Sequence, residues 1–370
     1  MLNLVQEPGR VWSRDALLDT VWPEQAVGEE VLTQAIAELR RAFGDDFRRP
    51  KYLETIHKAG YRLLPKPGSD DARGALSGDW AGDLEAYGVC LEADALRDSG
   101  GRTGLQSAVD LYGTALLANP RLAAAHVGLA GAMLFTVTNY SEPADVARIR
   151  DHCQAALHLD SGLAEAWAMN SHACAYAGQV DDAMDLIGRA LALDPGNGSK
   201  FYHAARVCMT GLALRPAAAL LERAAQLAPG DSHSLVLAGK MRRMLGDERA
   251  AARNHAAALP RLNARLAEHS DDFRARAGRA RCLQAVGRRD EAAVEMDLAR
   301  AHPDPMPFLL ATTLAQNGRT EAALDAVEAT IDAGWRGPWA RPWLDRDTDF
   351  DALRGNRRFE RLAARVGPGA

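Results

Sequence analysis

A repeat period of about 34 residues is the feature that most constrains how this 370-residue chain folds. When the middle of the sequence is compared with itself at that offset, aromatic, small and proline positions coincide. The matched pairs are Trp167 with Phe201, Cys174 with Cys208, Ala183 with Ala217, Ala190 with Ala224, and Pro195 with Pro229. Such a period is typical of paired helices, in which each pair buries its apolar face against the next. Because aromatic residues make up only 6% and alanine is frequent, closely packed helices are favoured over a sheet-rich fold.

One unit of this period, Ala164 to Pro195, shows the packing requirements most clearly. It has an aromatic residue at position 4, small residues at positions 8, 20 and 27, a glycine between two helical segments and a proline at position 32. Small residues there let two helices approach closely, while the aromatic residue fills the space to the next unit. The unit resembles the tetratricopeptide repeat (TPR), although Asn170 and Cys174 stand where leucine and tyrosine are usual. The resemblance implies an α-solenoid with a concave groove.

The other units follow the same register, and about seven helix pairs are expected between residues 83 and 334. The second pair is longer than the period by about seven residues, around the sequence TNYSEPAD. Residues 67–82 are rich in Pro, Gly, Ser and Asp, which predicts a linker after an N-terminal domain at 1–66. Residues 335–370 hold three tryptophans and then an amphipathic helix. We interpret them as a C-terminal cap, with the tryptophans packing inside it rather than forming a ligand cage.

The N-terminal region has a different and non-repetitive pattern. Ser13 is placed to cap a helix over Asp15 to Trp22, and a second helix is expected over about Glu29 to Phe43, followed by Gly44 as its C-cap. In the second helix, Leu32, Ile36, Leu39 and Phe43 make a buried stripe. A basic segment and the hairpin YLETIHKAGYRLL come next, with Gly60 able to adopt the positive φ of the turn. Helix, turn, helix, basic loop and hairpin are the layout of a winged helix.

The segments LTQAIAELRRAFGDD and YLETIHKAGYRLL resemble the OmpR/PhoB-type winged-helix domain of bacterial transcriptional regulators. The similarity is greatest to the CadC- and HilA-like group, in which this domain is fused to a helical sensor or repeat region. It implies sequence-specific DNA binding, usually by tandem or dimeric units, and control of transcription. The residues expected to meet DNA are Thr33, Gln34, Ala37, Glu38, Arg40 and Arg41 on the second helix, Arg48, Arg49 and Lys51 in the basic segment, and Thr55, His57, Lys58 and Tyr61 on the wing.

The distribution of charge is compatible with this layout. The whole chain has a formal charge of -5, which gives no global sign of nucleic-acid binding. However, residues 1–30 hold two bases against six acids, whereas residues 31–66 hold eight bases against four acids. The half that contains the second helix and the hairpin therefore carries +4, while the repeats account for the whole negative balance.

Two hypotheses about function remain open. The opening MLNLVQEPG supplies only the last turn of the first helix that such domains normally have, so we expect either a misassigned start at Met1 or a truncated domain. The first hypothesis is a cytoplasmic one-component transcriptional regulator whose TPR domain binds a protein partner or mediates self-association, for example as a homodimer. The alternative is a TPR scaffold or adaptor whose incomplete winged helix no longer binds DNA.

An enzyme is not expected, because the sequence lacks GxSxG, P-loop and HExxH motifs. The five cysteines form no CxxC pair, which predicts neither a disulfide framework nor a zinc site. No cofactor or metal is expected. The longest uncharged stretch, Leu122 to Ser141, contains too many polar residues for a membrane span and is predicted to be a buried helix and loop.

A basic column is predicted at position 9 of the first helix in successive repeats. Its members are His172, Arg206, Lys240 and, across an insertion, Arg279, with Tyr176, Tyr202 and Arg243 nearby. That position generally lines the concave groove of a TPR solenoid. In an otherwise acidic domain, the column predicts binding of an acidic or carboxylate-ended peptide. A solvated set of side chains without a ligand is the alternative.

Overall fold

The computed structural model describes residue 4 and residues 9–21, 29–43, 45–56, 59–64, 79–99, 101–141 and 145–366. For a few helical residues, Glu38 and Arg41 among them, only the backbone is described. The chain forms two compact units, one made of residues 1–91 with 114–125 and the other of residues 92–113 with 126–370. The boundary between the units therefore falls within the first helix pair of the repeats.

A three-stranded antiparallel sheet lies in the N-terminal region, in the order β1 (Val11–Trp12), β3 (Gly60–Leu63), β2 (Leu53–Ile56). Strands β2 and β3 form the predicted hairpin, whereas β1 is too short to give an alternating sequence pattern. Gly60 has a φ of +137°, and a Cβ added there would lie 1.9 Å from the carbonyl oxygen of Trp12. Glycine is thus required both by the backbone conformation and by the close passage of β1.

Two helices pack on this sheet and complete the predicted winged-helix layout: α1 (Arg14–Val21) and α2 (Glu29–Phe43). The backbone N–H of Ala16 donates to Ser13 Oγ over 3.1 Å, so Ser13 caps α1 as predicted. The stripe on α2 is confirmed for the residues whose side chains are described. They form a core with side chains of α1 and the hairpin, namely Leu17, Leu32, Ile36, Leu53, Tyr61 and Leu63, with Leu39 packed against it. The predictions for Trp22, the Phe43 side chain and Gly44 lie outside the described residues.

Within the described ranges, fourteen helices follow as seven consecutive pairs, as the period predicts. They are α3 (Asp79–Ser99) and α4 (Gly101–Ala118), α5 (Ala123–Tyr140) and α6 (Val146–Leu159), α7 (Ala164–Tyr176) and α8 (Val180–Leu193), α9 (Gly198–Thr210) and α10 (Leu214–Leu227), α11 (Ser232–Met244) and α12 (Glu248–Glu268), α13 (Phe273–Ala285) and α14 (Arg289–Arg300), and α15 (Pro307–Gln316) and α16 (Thr320–Asp332). Helix α3 begins inside the predicted linker 67–82. Aspartate and glycine are common in linkers, but aspartate is also favourable at a helix N-terminus, where Asp79 lies. Residues 67–78 lie outside the described part of the chain.

The small residues of the repeat are buried where the helices of a pair meet. Ser171, Ala183 and Ala190 are all fully buried, and Ser171 Oγ donates to the Ala183 carbonyl over 2.9 Å. In the pair α11–α12, a Cβ added to Gly239 would lie 2.3 Å from the ring of His255. The side chain at this position is therefore limited by the approach of the second helix, as the period analysis predicts.

Two of the pairs are seven residues longer than the period. The second of these shifts the sequence position at which the next groove-lining helix begins. The N-caps of α7, α9 and α11 are Leu163, Asn197 and Asp231, which are spaced at the repeat period. The next N-cap, Asp272, comes seven residues later than that spacing would place it. The additional residues lie in α12, which has 21 residues where α10 has 14. Seven residues are close to two helical turns, so the longer helix presents the same face to its neighbours.

The chain ends in α17 (Ala340–Arg346), a 3-10 helix (Thr348–Leu353) and α18 (Arg357–Ala364). Helix α18 is amphipathic as predicted, with Phe359 and Leu362 buried. The segment before it does more than cap the last repeat, because Trp339 Nε1 donates to the carbonyl of Tyr176 over 3.0 Å. The prediction of a purely terminal cap is therefore wrong for residues 335–353, whose aromatic and acidic side chains complement the first helices of earlier pairs. None of the described helices combines the length and the apolar character needed to cross a membrane.

Candidate nucleic-acid interface and solenoid cavity

The exposed face of α2 carries the short side chains that the sequence assigned to DNA. Thr33, Gln34 and Ala37 are exposed, on the side opposite the buried Leu32 and Ile36. The side chains of Glu38 and Arg41 lie outside the described residues. An exposed helix face of small and polar residues fits the dimensions of the DNA major groove and leaves glutamine able to reach a base edge.

Arg40 was predicted to face DNA bases, but it holds the hairpin instead. Its Nη2 donates to the carbonyl of Leu53 over 2.9 Å and to Thr55 Oγ1 over 2.8 Å. Its guanidinium also lies over the ring of Phe47, 5.3 Å from the centroid. Through these hydrogen bonds, Arg40 fixes the position of β2 relative to α2. The Arg40 guanidinium and the Thr55 hydroxyl are thus bonded to each other rather than turned towards DNA.

The loop after α2 presents three exposed cations on a framework of side-chain hydrogen bonds. The carboxylate of Asp45 accepts from the backbone N–H groups of Lys51 over 2.6 Å, Tyr52 over 3.3 Å and Leu53 over 2.8 Å. Asp46 Oδ1 accepts from the N–H of Arg48 over 2.8 Å. The exposed cations are Arg48, Arg49 and Lys51. A loop that holds them within four residues is suited to contact consecutive phosphates.

Tyr61 was predicted to lie on the DNA-contacting side of the wing, and this is wrong. It is 3% exposed and belongs to the domain core, on the same face of β3 as Leu63. Strand alternation explains the placement, because residues two apart share a face. Arg62 points away from this core and pairs with Glu54 of β2 over 2.5 Å. His57 and Lys58 lie outside the described residues.

A cavity of about 130 Å³ lies in the second unit, between the first helices of successive repeats and the C-terminal segment. Its polar and charged lining comes from Thr138, Asn139, Tyr176, Arg206, Thr210, His233, Lys240, Arg274, Arg281 and Thr312. The aromatic wall consists of Phe308, Trp335, Trp339 and Trp343. The ring of Phe308 stacks on Trp335 with centroids 4.8 Å apart, and Trp339 lies 4.5 Å from Tyr176. The described lining thus combines cations with flat apolar surfaces.

Two of the four members of the predicted basic column line the cavity. Arg206 and Lys240 lie nine residues after their N-caps and line the cavity. In α13 the residue nine after the N-cap is Arg281, which lines the cavity, whereas the predicted Arg279 pairs with Glu295 over 3.0 Å. The error arose because the seven additional residues of α12 were not counted in full.

His172 occupies the column but is not one of its cations. It is 3% exposed, and burial, followed by the nearby Arg206 and His203, holds its pKa well below the usual value. Of the aromatic candidates, Tyr176 lines the cavity, while Tyr202 contacts the rings of His203 and His233 outside it.

Two acidic residues of the C-terminal segment occupy the groove beside the cavity. Lys240 Nζ lies 2.5 Å from Asp347 and 2.8 Å from Asp349, and Arg281 Nη1 lies 2.6 Å from Asp349. Arg243 also pairs with Asp349. Both carboxylates are buried, at 0% and 2% exposure. Burial lowers the pKa of Lys240 to about 8, against the opposing effect of Asp347. The chain itself therefore supplies the carboxylates that the sequence predicted for a bound peptide.

All five cysteines are buried, and Cys174 and Cys208 are among the core residues. Among the described residues, no cluster of three or more His, Cys, Asp or Glu side chains is placed to hold a metal ion.

Comparison with known proteins identifies the N-terminal region. Residues 1–63 match the family described as "Transcriptional regulatory protein, C terminal". This region is similar to that family, and its fold is the winged helix described above. It is 45% identical over 65 residues to the transcriptional activator CadC of Escherichia coli, a match that spans 17% of this chain and 13% of the relative. The chain is also 37% identical over 83 residues to the cholera toxin transcriptional activator of Vibrio cholerae, spanning 22% of this chain and 28% of the relative. The similarity thus covers less than a third of either protein.

The structure also resembles solved structures of low sequence identity. The human IFIT1 dimer with m7Gppp-AAAA aligns with a TM-score of 0.53 and 14% identity, over 76% of this chain and 71% of that chain. At this level of identity the likeness concerns the fold alone. Together with the seven helix pairs, it agrees with the TPR solenoid that the repeat period indicates.

Sequence reasoning missed several residues of the cavity, namely His233, Arg274, Arg281 and the tryptophans of its wall. Counting from each N-cap would have found Arg281 at position nine, and His233 and Arg274 both at position two. The clustering of three tryptophans is visible in the sequence, but the repeat pattern does not show that their segment turns back along the groove.

Proposed function

We propose that this chain is a DNA-binding transcriptional regulator, in which residues 1–63 bind duplex DNA and the TPR solenoid receives the regulatory input. The match of residues 1–63 to a transcriptional-regulator family carries the proposal. Two matched relatives are named as transcriptional activators, which supports a role in transcription for this chain.

The geometry of α2 and the following loop supports separate roles for the two elements, base contacts for the helix and phosphate contacts for the loop. Thr33 and Gln34 are exposed on α2, where a glutamine can pair with both hydrogen-bonding groups of adenine in the major groove. Arg48, Arg49 and Lys51 are exposed on the loop and would neutralise phosphates. Base contacts would therefore come from the helix, and most of the salt-dependent affinity from the loop.

The TPR solenoid is proposed to bind a protein partner or a second copy of the chain. An acidic peptide that uses the predicted column has to displace Asp347 and Asp349, because these already pair with Lys240 and Arg281. Peptide binding in the groove would thus be coupled to release of the C-terminal segment. We propose a cytoplasmic, non-catalytic role for the whole chain, in keeping with the transcriptional relatives.

Selection of binding sequences from a random duplex pool, followed by titration of a selected site, tests DNA binding by the full chain. Replacing Gln34 by alanine should relax the base preference at one position at a cost of about 1–3 kcal/mol, whereas Lys51→Ala should weaken all sequences alike. Lys51→Ala should also reduce the slope of log K against log salt by about 1. Arg215→Gln, an exposed cation on α10, is the matched control and should change neither quantity.

The adaptor hypothesis makes the opposite prediction for the same titration. If the full chain selects no sequence and shows no salt-dependent binding to any duplex, the DNA-binding proposal is wrong. Retention of partner capture by that chain would then favour a TPR scaffold.

A further inference from the structure

The solenoid cavity has an unbalanced positive charge. Four cations line it, Arg206, Lys240, Arg274 and Arg281, and no acidic residue is among its described lining. Asp347 and Asp349, at the edge of the cavity, neutralise Lys240 and Arg281. Neither Arg206 nor Arg274 forms an ion pair with a carboxylate within the described part of the chain, although the charge of Arg274 acts on Asp272. Arg206 therefore remains without a counter-charge.

Arg206 is the more informative of these two residues. It is half-buried on α9, and its guanidinium has no hydrogen-bond or ion-pair partner among the described residues. Arg274 is better held, because its Nη2 donates to Asn139 Oδ1 over 3.1 Å and its guanidinium lies 4.6 Å from the ring centroid of Phe135. The donors of this guanidinium are therefore available to an anion. An anion placed beside Arg206 and Arg274 would satisfy those donors.

The remaining surface of the cavity fixes the size and shape of such an anion. Phe308, Trp335 and Trp339 provide flat apolar walls. A cavity of about 130 Å³ is close to the roughly 150 Å³ cavity that holds one benzene molecule in another protein. The space therefore accepts one ring or an apolar group of similar size, and it is too small for a folded peptide.

Neutral hydrogen-bonding groups complete the site. Burial first, then the positive charges of Arg274 and Arg206, hold the pKa of His233 well below the usual value, so this lining residue is neutral at physiological pH. Thr138, Asn139 and Thr210 add further polar atoms to the same wall. The donor groups of these three residues already hydrogen-bond within the chain, so the wall is polar but does not compete for the charge of an anion.

We propose that this cavity binds a small organic anion, a carboxylate carried by one ring or by an apolar group of that size. Arg206 and Arg274 hold the carboxylate, and the tryptophan wall packs against the apolar body. Bidentate pairing of a guanidinium with a carboxylate supplies the specificity for charge. This site is separate from residues 1–63, so its occupancy is measurable without DNA and stands apart from the outcome of the DNA titration.

The test is a calorimetric titration of the full chain with benzoate and with its neutral analogue benzamide, each also followed by tryptophan fluorescence. We expect saturable binding of benzoate and at least tenfold weaker binding of benzamide, since a charge-assisted contact is lost. Acetate should bind at least tenfold more weakly than benzoate, because it leaves the apolar wall unfilled.

Variants assign the binding to the cavity. Arg206→Gln should weaken benzoate at least tenfold and bring its affinity close to that of benzamide, while Arg206→Lys should recover part of the preference. Arg215→Gln, an exposed arginine on the adjacent helix α10, is the matched control and should bind as the unaltered chain does. Circular dichroism and the thermal midpoint of each variant show that it is folded. Equal affinity for benzoate and benzamide, no saturable binding at millimolar concentration, or an Arg206→Gln variant that binds benzoate normally would each overturn the proposal.

Discussion

Replacement of Asp349 by asparagine should strongly destabilise the second unit. Asp349 is 2% exposed, and its carboxylate contacts Lys240 at 2.8 Å, Arg281 at 2.6 Å and also Arg243. With Asp347, the cluster holds three cations and two carboxylates. The substitution keeps the size of the side chain but raises the excess of positive charge from one to two.

The magnitude follows from the burial of the partners that remain. Lys240 and Arg281 are 5% and 2% exposed, so water cannot replace the lost carboxylate without opening the groove. Removing one member of a buried ion pair costs about 3–5 kcal/mol. We therefore expect the free energy of unfolding to fall by about 3 kcal/mol or more. Detachment of residues 335–353 would limit the loss to the free energy that holds this segment in the groove.

Urea unfolding followed by tryptophan fluorescence measures the effect, because Trp335, Trp339 and Trp343 all lie in the affected segment. Asp345→Asn is the matched control, since its carboxylate is half exposed and, among the described residues, pairs only with Arg341 on the same helix. That exposed pair should be worth about 0.3–0.5 kcal/mol. Adding Lys240→Met to Asp349→Asn restores the original charge balance and should recover part of the loss. A loss for Asp349→Asn no larger than that for Asp345→Asn would refute this account of the cluster.

Three further perturbations test other parts of the molecule. In thermal unfolding, Gly60→Ala should cost the N-terminal domain at least about 3 kcal/mol, because the added Cβ meets the Trp12 carbonyl. Gly9 also has a positive φ but has open space around it, so Gly9→Ala should cost only about 1 kcal/mol. Equal losses for the two variants would contradict the steric reason. Asp45→Ala should remove three backbone hydrogen bonds and accelerate amide exchange at Leu53 at least tenfold, and unchanged exchange would show that the loop does not depend on this carboxylate. Burial, followed by nearby arginines, lowers the pKa of His255 to about 3, so below pH 6.5 the unfolded chain binds a proton that the folded chain does not. The free energy of unfolding should therefore fall by about 1.4 kcal/mol per pH unit from this group as the pH drops from 6 to 5, and His255→Leu should lower the slope by that amount in urea titrations; an unaltered slope would refute it.

The fold was largely predictable because both of its patterns are local. The repeat period fixes where small residues must be buried, and Ser171, Ala183 and Ala190 are buried there. The stripe on α2 and the turn at Gly60 likewise depend on a few consecutive residues. Each is set by spacing along one or two elements, which a sequence displays directly.

The site was predicted less well because it depends on contacts between distant elements. Arg40 lies on the polar side of α2 in a helical projection, yet the hairpin that it binds is placed by the rest of the domain. Arg279 was preferred to Arg281 because the length of α12 was unknown. Asp347 and Asp349 follow the last repeat by sequence, and their return to the cations of α11 and α13 is a tertiary effect.

Neutralising Arg206 should have the opposite sign from neutralising Asp349, and this contrast tests whether the cavity is built for a ligand. Without a ligand, Arg206 lies among Arg274 and other cations with no carboxylate partner in the described residues, so its charge opposes folding. Arg206→Gln should therefore raise the free energy of unfolding by about 0.5–1 kcal/mol in urea titrations, as stabilising changes at functional sites often do. Arg215→Gln, on the exposed surface of α10, should stay within about 0.5 kcal/mol of the unaltered chain. If Arg206→Gln instead lowers the free energy of unfolding by about 1 kcal/mol or more, the guanidinium supports the fold. The unbalanced charge would then need no external anion.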